Sequence, residues 1–299
     1  MKAPVPMLSG AGTAIVTPFT SSGEIDEQAL RKFVAWQVEE GIDYLVPCGS
    51  TGEAATMTAD EQRRVVEITV EVVAGRVPII AGAGSNDTAR AIAASRMMCD
   101  AGATHLLHAS PAYNKPPQRG IVAHFRAIAD AVDTPIVVYN VPGRTGSNIA
   151  AETTLELSEH PNIVAVKEAS GNLMQITEII RHRPHGFAVL SGDDTITLAV
   201  MAAGGDGVTS VTSNAVPSLV AQLCAAMHRG DYDDARALDA RLAPWTHAAF
   251  IESNPIPVKA AMAMMGMMGN NLRLPLVPLA PQHNPLVRAA LVSLGAIAE

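Results

Sequence analysis

The most informative side chain in this 299-residue sequence is Lys167. It closes the apolar run Ile163, Val164, Ala165, Val166, where an ammonium loses water and must be compensated or give up its proton. Desolvation lowers a lysine pKa and yields a neutral amine able to attack a carbonyl and form a Schiff base. The other reading is a lysine that snorkels from the end of the run to a carboxylate such as Glu168. Position alone leaves both open.

Tyr139 closes another apolar run, and its phenol could shuttle protons beside an imine if a relay carries them onward. A core aromatic with a satisfied hydroxyl fits the same place. The chain has only 4 tyrosines, and both Tyr113 and Tyr139 fall at the ends of such runs, which favours function. The loop Gly49, Ser50, Thr51, Gly52, Glu53 sets two hydroxyls among glycines ahead of a helix, an arrangement suited to a carboxylate or simply to helix capping. Arg144 sits in the rigid loop 141–146, as a bidentate carboxylate clamp or as a solvated surface arginine. Residues 191–194, including Gly192, Asp193 and Asp194, form a further polar run end, where the two aspartates could hold a metal or merely cap a turn.

Other motifs carry less. Gly82, Ala83, Gly84 lacks the third glycine of a dinucleotide turn. Neither His105 with His108 nor His182 with His185 has the spacing of a helical zinc pair, and a strand would turn His105 and His108 to opposite faces. The expectation is therefore no metal and no cofactor.

These residues need a scaffold. Apolar runs at 12–17, 43–48, 77–82, 104–109, 134–139, 162–167, 186–191 and 206–211 are each followed by a segment with helical spacing. Thr58 and Glu61 have capping-box spacing, Asp26 can cap the helix carrying Leu30, Phe33 and Val34, and Gly75 is placed to end the Thr58 helix. Eight strand–helix units at this period predict a (β/α)8 TIM barrel, with chemistry at the C-terminal strand ends; a doubly wound sheet is the runner-up. From residue 217 the strand signal vanishes, and helices are expected at 218–228, 233–250, 256–268 and 285–297, the last capped by Asn284. The expected organisation is a catalytic barrel over residues 1–216 and an all-helical C-terminal extension over 217–299 packed on it.

Composition narrows the class. With 21 basic and 29 acidic side chains the net charge is −8, which argues against a nucleic-acid binder. A hydrophobic content of 48% against 17% charged residues supplies a core. The three cysteines, Cys48, Cys99 and Cys224, do not form a disulfide framework and suit a reducing compartment. Residues 1–19 carry Lys2 and are fairly apolar, yet Pro4, Pro6, Gly10 and Gly12 interrupt any leader-like stretch. No run reaches the ~18 apolar residues of a membrane span. A cytoplasmic protein without membrane partners is expected.

Together the motifs TAIVTPF (13–19), GSTGE (49–53), YNVPGRTG (139–146), VKEASGN (166–172), LSGDD (190–194), NPIPVK (254–259) and LRLP (272–275) resemble the dihydrodipicolinate synthase family, within the wider N-acetylneuraminate lyase group of class I aldolases. The resemblance runs nearly end to end. It implies that Lys167 forms a Schiff base with pyruvate and that Tyr139 exchanges protons, with Ser50 and Tyr113 completing a hydroxyl relay. It further implies that Thr51, the backbone at Thr209 and Gly192 hold the first substrate, and that Arg144 meets the carboxylate of L-aspartate-4-semialdehyde. Tyr113 would enter the site of a neighbouring subunit, so a homotetramer built as a dimer of dimers is expected. The implied reaction is condensation of the two substrates to 4-hydroxy-tetrahydrodipicolinate in lysine and diaminopimelate biosynthesis. The alternative is a pyruvate-dependent lyase of the same group acting on a sugar acid or another 2-oxo acid.

Two departures stand out. Ser50 lies where the synthases usually have threonine, which loses the methyl that restricts the rotamer. Ala112 lies where many carry a second tyrosine. In members inhibited by lysine, the effector crevice has histidines where Ala59 and Gln62 stand here, and a glutamate where Arg90 stands. Asn86 remains, but the resemblance implies weak lysine feedback because Arg90 would repel the effector's ammonium.

Overall fold

The structure is a computed structural model and describes residues 7–298. Strands and helices alternate: β1 (Gly10–Ala14), α1 (Glu27–Glu39), β2 (Tyr44–Val46), α2 (Ala59–Val73), β3 (Ile80–Gly82), α3 (Thr88–Asp100), β4 (His105–Ala109) and α4 (Gln118–Ala131). There follow β5 (Ile136–Asn140), the single turn α5 (Pro142–Thr145), α6 (Ala151–Ser158), β6 (Ile163–Glu168), α7 (Leu173–His182), β7 (Ala188–Ser191), α8 (Thr197–Ala202) and β8 (Gly207–Ser210). The chain continues through α9 (Pro217–Arg229), α10 (Tyr232–Ala249), α11 (Ile256–Met264) and α12 (Asn284–Ser293).

The eight strands pair in parallel in the order β2-β1-β8-β7-β6-β5-β4-β3. The sheet closes on itself between β2 and β3, where Leu45 N donates to Pro78 O (3.0 Å) and Gly82 N to Pro47 O (2.9 Å). This is the (β/α)8 barrel expected from the spacing of the apolar runs.

Side chains alternate between two apolar layers, as the period of a strand requires. Along β5, Ile136 and Val138 pack outward under the helices, whereas Val137 and Tyr139 point into the barrel. Along β6, Val166 points outward and Ala165 inward, so Lys167 shares the inward face and Glu168 the outward one. The β5–β6 register sets Tyr139 beside Lys167 and Asn140 beside Glu168. The two residues singled out by chemistry are thus neighbours on one wall.

Capping follows the sequence closely. Asp26 accepts from Ala29 N at the start of α1, and Thr58 and Glu61 form a complete capping box on α2. Boundaries differ where side chains replace ladder bonds. β1 stops at Ala14, short of the expected residue 17, because Asn214 donates to Ala14 O (2.8 Å) and accepts from Val16 N (3.0 Å). β2 ends before Cys48, whose φ of 57° leaves the extended region. Asn284 is not a cap: a 3-10 turn, Pro281–His283, runs directly into α12, so Asn284 is already its first residue. α11 ends at Met264 rather than 268, where Gly266 turns back with φ 71°.

Lys2, Pro4 and Pro6, part of the leader reading, lie outside the described residues, as does Glu299. No helix among the described residues is long and apolar enough to cross a membrane.

The barrel interior depends on small residues opposite large ones. A Cβ on Gly12 would lie 1.9 Å from the Tyr44 ring, which is fully buried and whose hydroxyl donates to Val208 O (2.8 Å). Gly12→Ala should therefore lower stability by about 1–3 kcal/mol through overpacking, measured as a lower urea midpoint at unchanged m-value. An unchanged midpoint would show that the ring relocates freely.

Candidate active site

A cavity of about 370 Å³ opens at the C-terminal ends of the strands, and Lys167, Tyr139, Ser50, Thr51, Arg144 and Gly192 all line it. Six of the eight site residues expected from the sequence therefore converge, although they come from five different strand ends or loops.

Lys167 is 5% exposed and its Nζ lies 4.4 Å from the centroid of the Tyr139 ring. No carboxylate forms an ion pair with it among the described residues. Burial pulls its pKa down to about 8; Asp194 opposes that fall and Arg144 adds to it. The snorkelling alternative fails, because Glu168 faces the other side of the sheet. There its carboxylate accepts from Ser170 N (2.7 Å), Asn140 Nδ2 (3.0 Å) and Gln175 Nε2 (3.1 Å). Gly192 leaves room for the lysine: a Cβ there would meet Ala169 Cβ at 2.8 Å and Lys167 Cγ and Cε at 3.0 Å.

Burial raises the Tyr139 pKa to about 12, with Arg144 opposing and Asp193 adding. At neutral pH it is a protonated phenol beside an amine poised to lose its proton. That pairing supports proton exchange at an imine.

The loop from Gly49 to Glu53 folds as two tight turns, with Gly52 N donating to Gly49 O and Glu53 N to Ser50 O, each at 3.1 Å. Ser50 sits exposed at the rim while Thr51 is buried. Asn254 Nδ2 donates to Thr51 Oγ1 (2.8 Å), so the Thr51 hydroxyl keeps its own proton for a ligand oxygen. Arg144 belongs to α5, with Pro142 in its first turn and Gly146 as its left-handed cap. Its Nη2 donates to Asn254 O (3.1 Å), which ties the guanidinium over the cavity rather than leaving it a free surface group.

Two expected residues lie elsewhere in the single chain. Thr209 points into the barrel floor, with its Oγ1 3.0 Å from the Tyr44 hydroxyl, and does not line the cavity. Tyr113 is 91% exposed with φ 72°, an uncommon conformation for a tyrosine, and also lies off the cavity. Asn254 was not foreseen, although the NPIPVK motif that carries it was noted. It comes from the C-terminal helical region and touches both Thr51 and Arg144. Asp194 proves to be a turn anchor, accepting from Thr212 Oγ1 (2.7 Å) and Val211 N (2.9 Å). No group of three metal-ligating side chains occurs among the described residues.

The chain resembles known proteins along nearly its whole length. The sequence profile described as the Dihydrodipicolinate synthetase family matches residues 7–294. The chain belongs to that family. It is 49% identical over 289 residues to the 4-hydroxy-tetrahydrodipicolinate synthase of Maridesulfovibrio salexigens, covering 96% of this chain and 99% of the relative. Among solved structures, the dihydrodipicolinate synthase of Thermotoga maritima superposes with a TM-score of 0.96 at 41% identity, covering 97% of this chain and 100% of that one. The chloride-inhibited enzyme of Acinetobacter baumannii, solved with pyruvate, matches with a TM-score of 0.95 at 41% identity, covering 97% of this chain and 99% of the other.

Within the family frame the depressed pKa of Lys167 has a measurable consequence. The reactive amine is the neutral form, present above its pKa, so the rate of imine formation should rise with pH and level off above about 8. Stopped-flow mixing with a 2-oxo acid between pH about 6.5 and 9 tests this. A rate independent of pH would mean that deprotonation of Lys167 does not limit attack.

Proposed function

We propose that this chain condenses pyruvate with L-aspartate-4-semialdehyde to give 4-hydroxy-tetrahydrodipicolinate, as the names of its relatives imply, in lysine and diaminopimelate biosynthesis. The observation that carries this reading is Lys167, an inward, desolvated amine with no carboxylate partner among the described residues, against the phenol of Tyr139. Its nitrogen attacks C2 of pyruvate; the carbonyl oxygen takes protons from Tyr139 and the relay and leaves as water. Loss of a C3 proton then gives an enamine, whose carbon attacks the aldehyde of the second substrate. The amino group of that substrate displaces Lys167 as the product cyclises, returning the free lysine.

The remaining roles follow from placement. Thr51 offers a free hydroxyl proton to the pyruvate carboxylate, and Gly192 keeps the approach to Lys167 open. We assign the Thr209 backbone to the same carboxylate on the family resemblance alone. Arg144, tethered over the opening, suits a second carboxylate and so favours the synthase over a lyase for sugar acids.

Tyr113 would complete the relay from a second copy of this chain, which makes a dimer the minimal active unit and a homotetramer the expected assembly. Its 91% exposure in the isolated chain supports that reading. A cytoplasmic location fits the three free cysteines. The net charge of −8 argues against a general nucleic-acid binder.

Borohydride reduction after incubation with pyruvate, followed by peptide mass spectrometry, should modify Lys167 in the wild type and nothing in Lys167→Ala. An adduct on Lys259 or Lys115 would sink the mechanism. Arg144→Ala should keep the adduct and lose about tenfold to a hundredfold in kcat/KM for the aldehyde, the equivalent of ~1.5–3 kcal/mol for a charged hydrogen-bonded contact. Loss of pyruvate binding instead would reassign Arg144.

Feedback by lysine should be weak. Arg90 is exposed at the start of α3, and Asn86, the remaining amide, already donates to Ala112 O (3.4 Å). An assay at saturating pyruvate with millimolar lysine should show little inhibition. Half-inhibition below about a millimolar, which takes roughly 4 kcal/mol of binding, would contradict the charge argument.

A further inference from the structure

The ion pair between Lys259 and Glu53 lies near the cavity, and the proposed chemistry leaves it without a use. Lys259 Nζ lies 2.6 Å from Glu53 Oε1, and both side chains are 0% exposed. A buried pair of this kind is weak evidence for stability, since desolvation offsets most of its Coulombic gain. Its geometry says more. Glu53 has φ 56°, a left-handed conformation that a glutamate holds only when its surroundings impose it. Its other oxygen, Oε2, accepts from Arg273 N (3.1 Å), so both carboxylate oxygens are committed. Its backbone N–H closes the turn back to Ser50 O (3.1 Å), two residues beyond Thr51.

The cation is equally fixed. Lys259 Nζ stands 4.3 Å from the Phe19 ring centroid, and Arg273 Cζ stands at the same distance. Arg273 is in turn locked to Glu61 on α2 (2.5 and 2.9 Å). Five residues before Lys259, Asn254 holds Thr51 (2.8 Å). Asn254 ahead of α11 and Lys259 within it thus grip the loop at residues 51 and 53, on either side of Gly52, whose carbonyl accepts from Thr17 Oγ1 (2.7 Å).

We infer that the buried Lys259–Glu53 pair is a positioning device for the pyruvate-binding loop: it holds Glu53 in its left-handed turn and thereby sets the Ser50 and Thr51 hydroxyls at the height of Lys167. Neither residue lines the cavity, so both act through the loop. A displacement of about 1 Å at a group that positions substrate costs up to ~10²-fold in rate. The effect should fall on the first substrate, because Arg144 hangs from Asn254 O and not from the pair.

This inference rests on the pyruvate-condensing reading above, and the two fail differently. If that reading is wrong, the wild type forms no Lys167 adduct with pyruvate. The positioning role is tested in two variants, Glu53→Gln combined with Lys259→Met, which removes both charges, and Lys259→Arg, which keeps the charge but displaces it. Fold is read by circular dichroism and thermal unfolding, and KM is measured for each substrate separately. The expected result is a folded variant whose KM for pyruvate rises about tenfold or more while that for the aldehyde stays within about threefold. A folded variant with wild-type pyruvate KM, or with both KM values raised alike, overturns the role. So does failure of both variants to fold, which would make the pair a support of the barrel as a whole.

Discussion

Everything at this site depends on the parity of a closed parallel sheet. Once β5 and β6 pair in register, alternate residues must face the barrel interior, and Tyr139 and Lys167 fall on the same inward face at the same height. Closure buries both side chains, and burial is what lowers the lysine pKa and raises that of the phenol. A one-residue slip would turn Lys167 out beneath the helices and bring Glu168 inward. The inward amine would then be exchanged for a carboxylate.

The same parity also disposes of the charge that could have quenched the amine. Glu168 is adjacent in sequence, yet its carboxylate lies on the opposite face and is satisfied by Asn140, Ser170 and Gln175. The pair Asn140 and Glu168 on the outer face mirrors Tyr139 and Lys167 on the inner one. One face is built for structure and the other for reaction.

The C-terminal helices supply what the strands do not. Asn254 and Lys259 reach back from the approach to α11 and from that helix, and hold loop residues that follow β2, over two hundred positions earlier. Asn254 also bears Arg144 through its carbonyl. The helical region is therefore a strut across the mouth of the barrel, joining Thr51 to Arg144. The walls of the cavity are completed by apolar side chains such as Leu107, Val211 and Phe250.

Much of this was legible in the sequence. Apolar runs at a regular period determined the barrel, because a strand buried on both faces reads as a continuous hydrophobic stretch and each needs a helix to cover it. Asp26 and the Thr58–Glu61 box announced their helices because capping is a local hydrogen-bonding rule. Lys167 announced itself because a charge at the end of such a stretch has few physical explanations. Other features depend on contacts between distant segments, which no local pattern encodes. Only the folded chain turned Glu168 away from Lys167, shortened β1 through Asn214, and left Tyr113 outside the cavity. Only it brought Asn254 and Lys259 to the loop at 49–53, because residues two hundred positions apart meet through the closure of the barrel and not through their spacing.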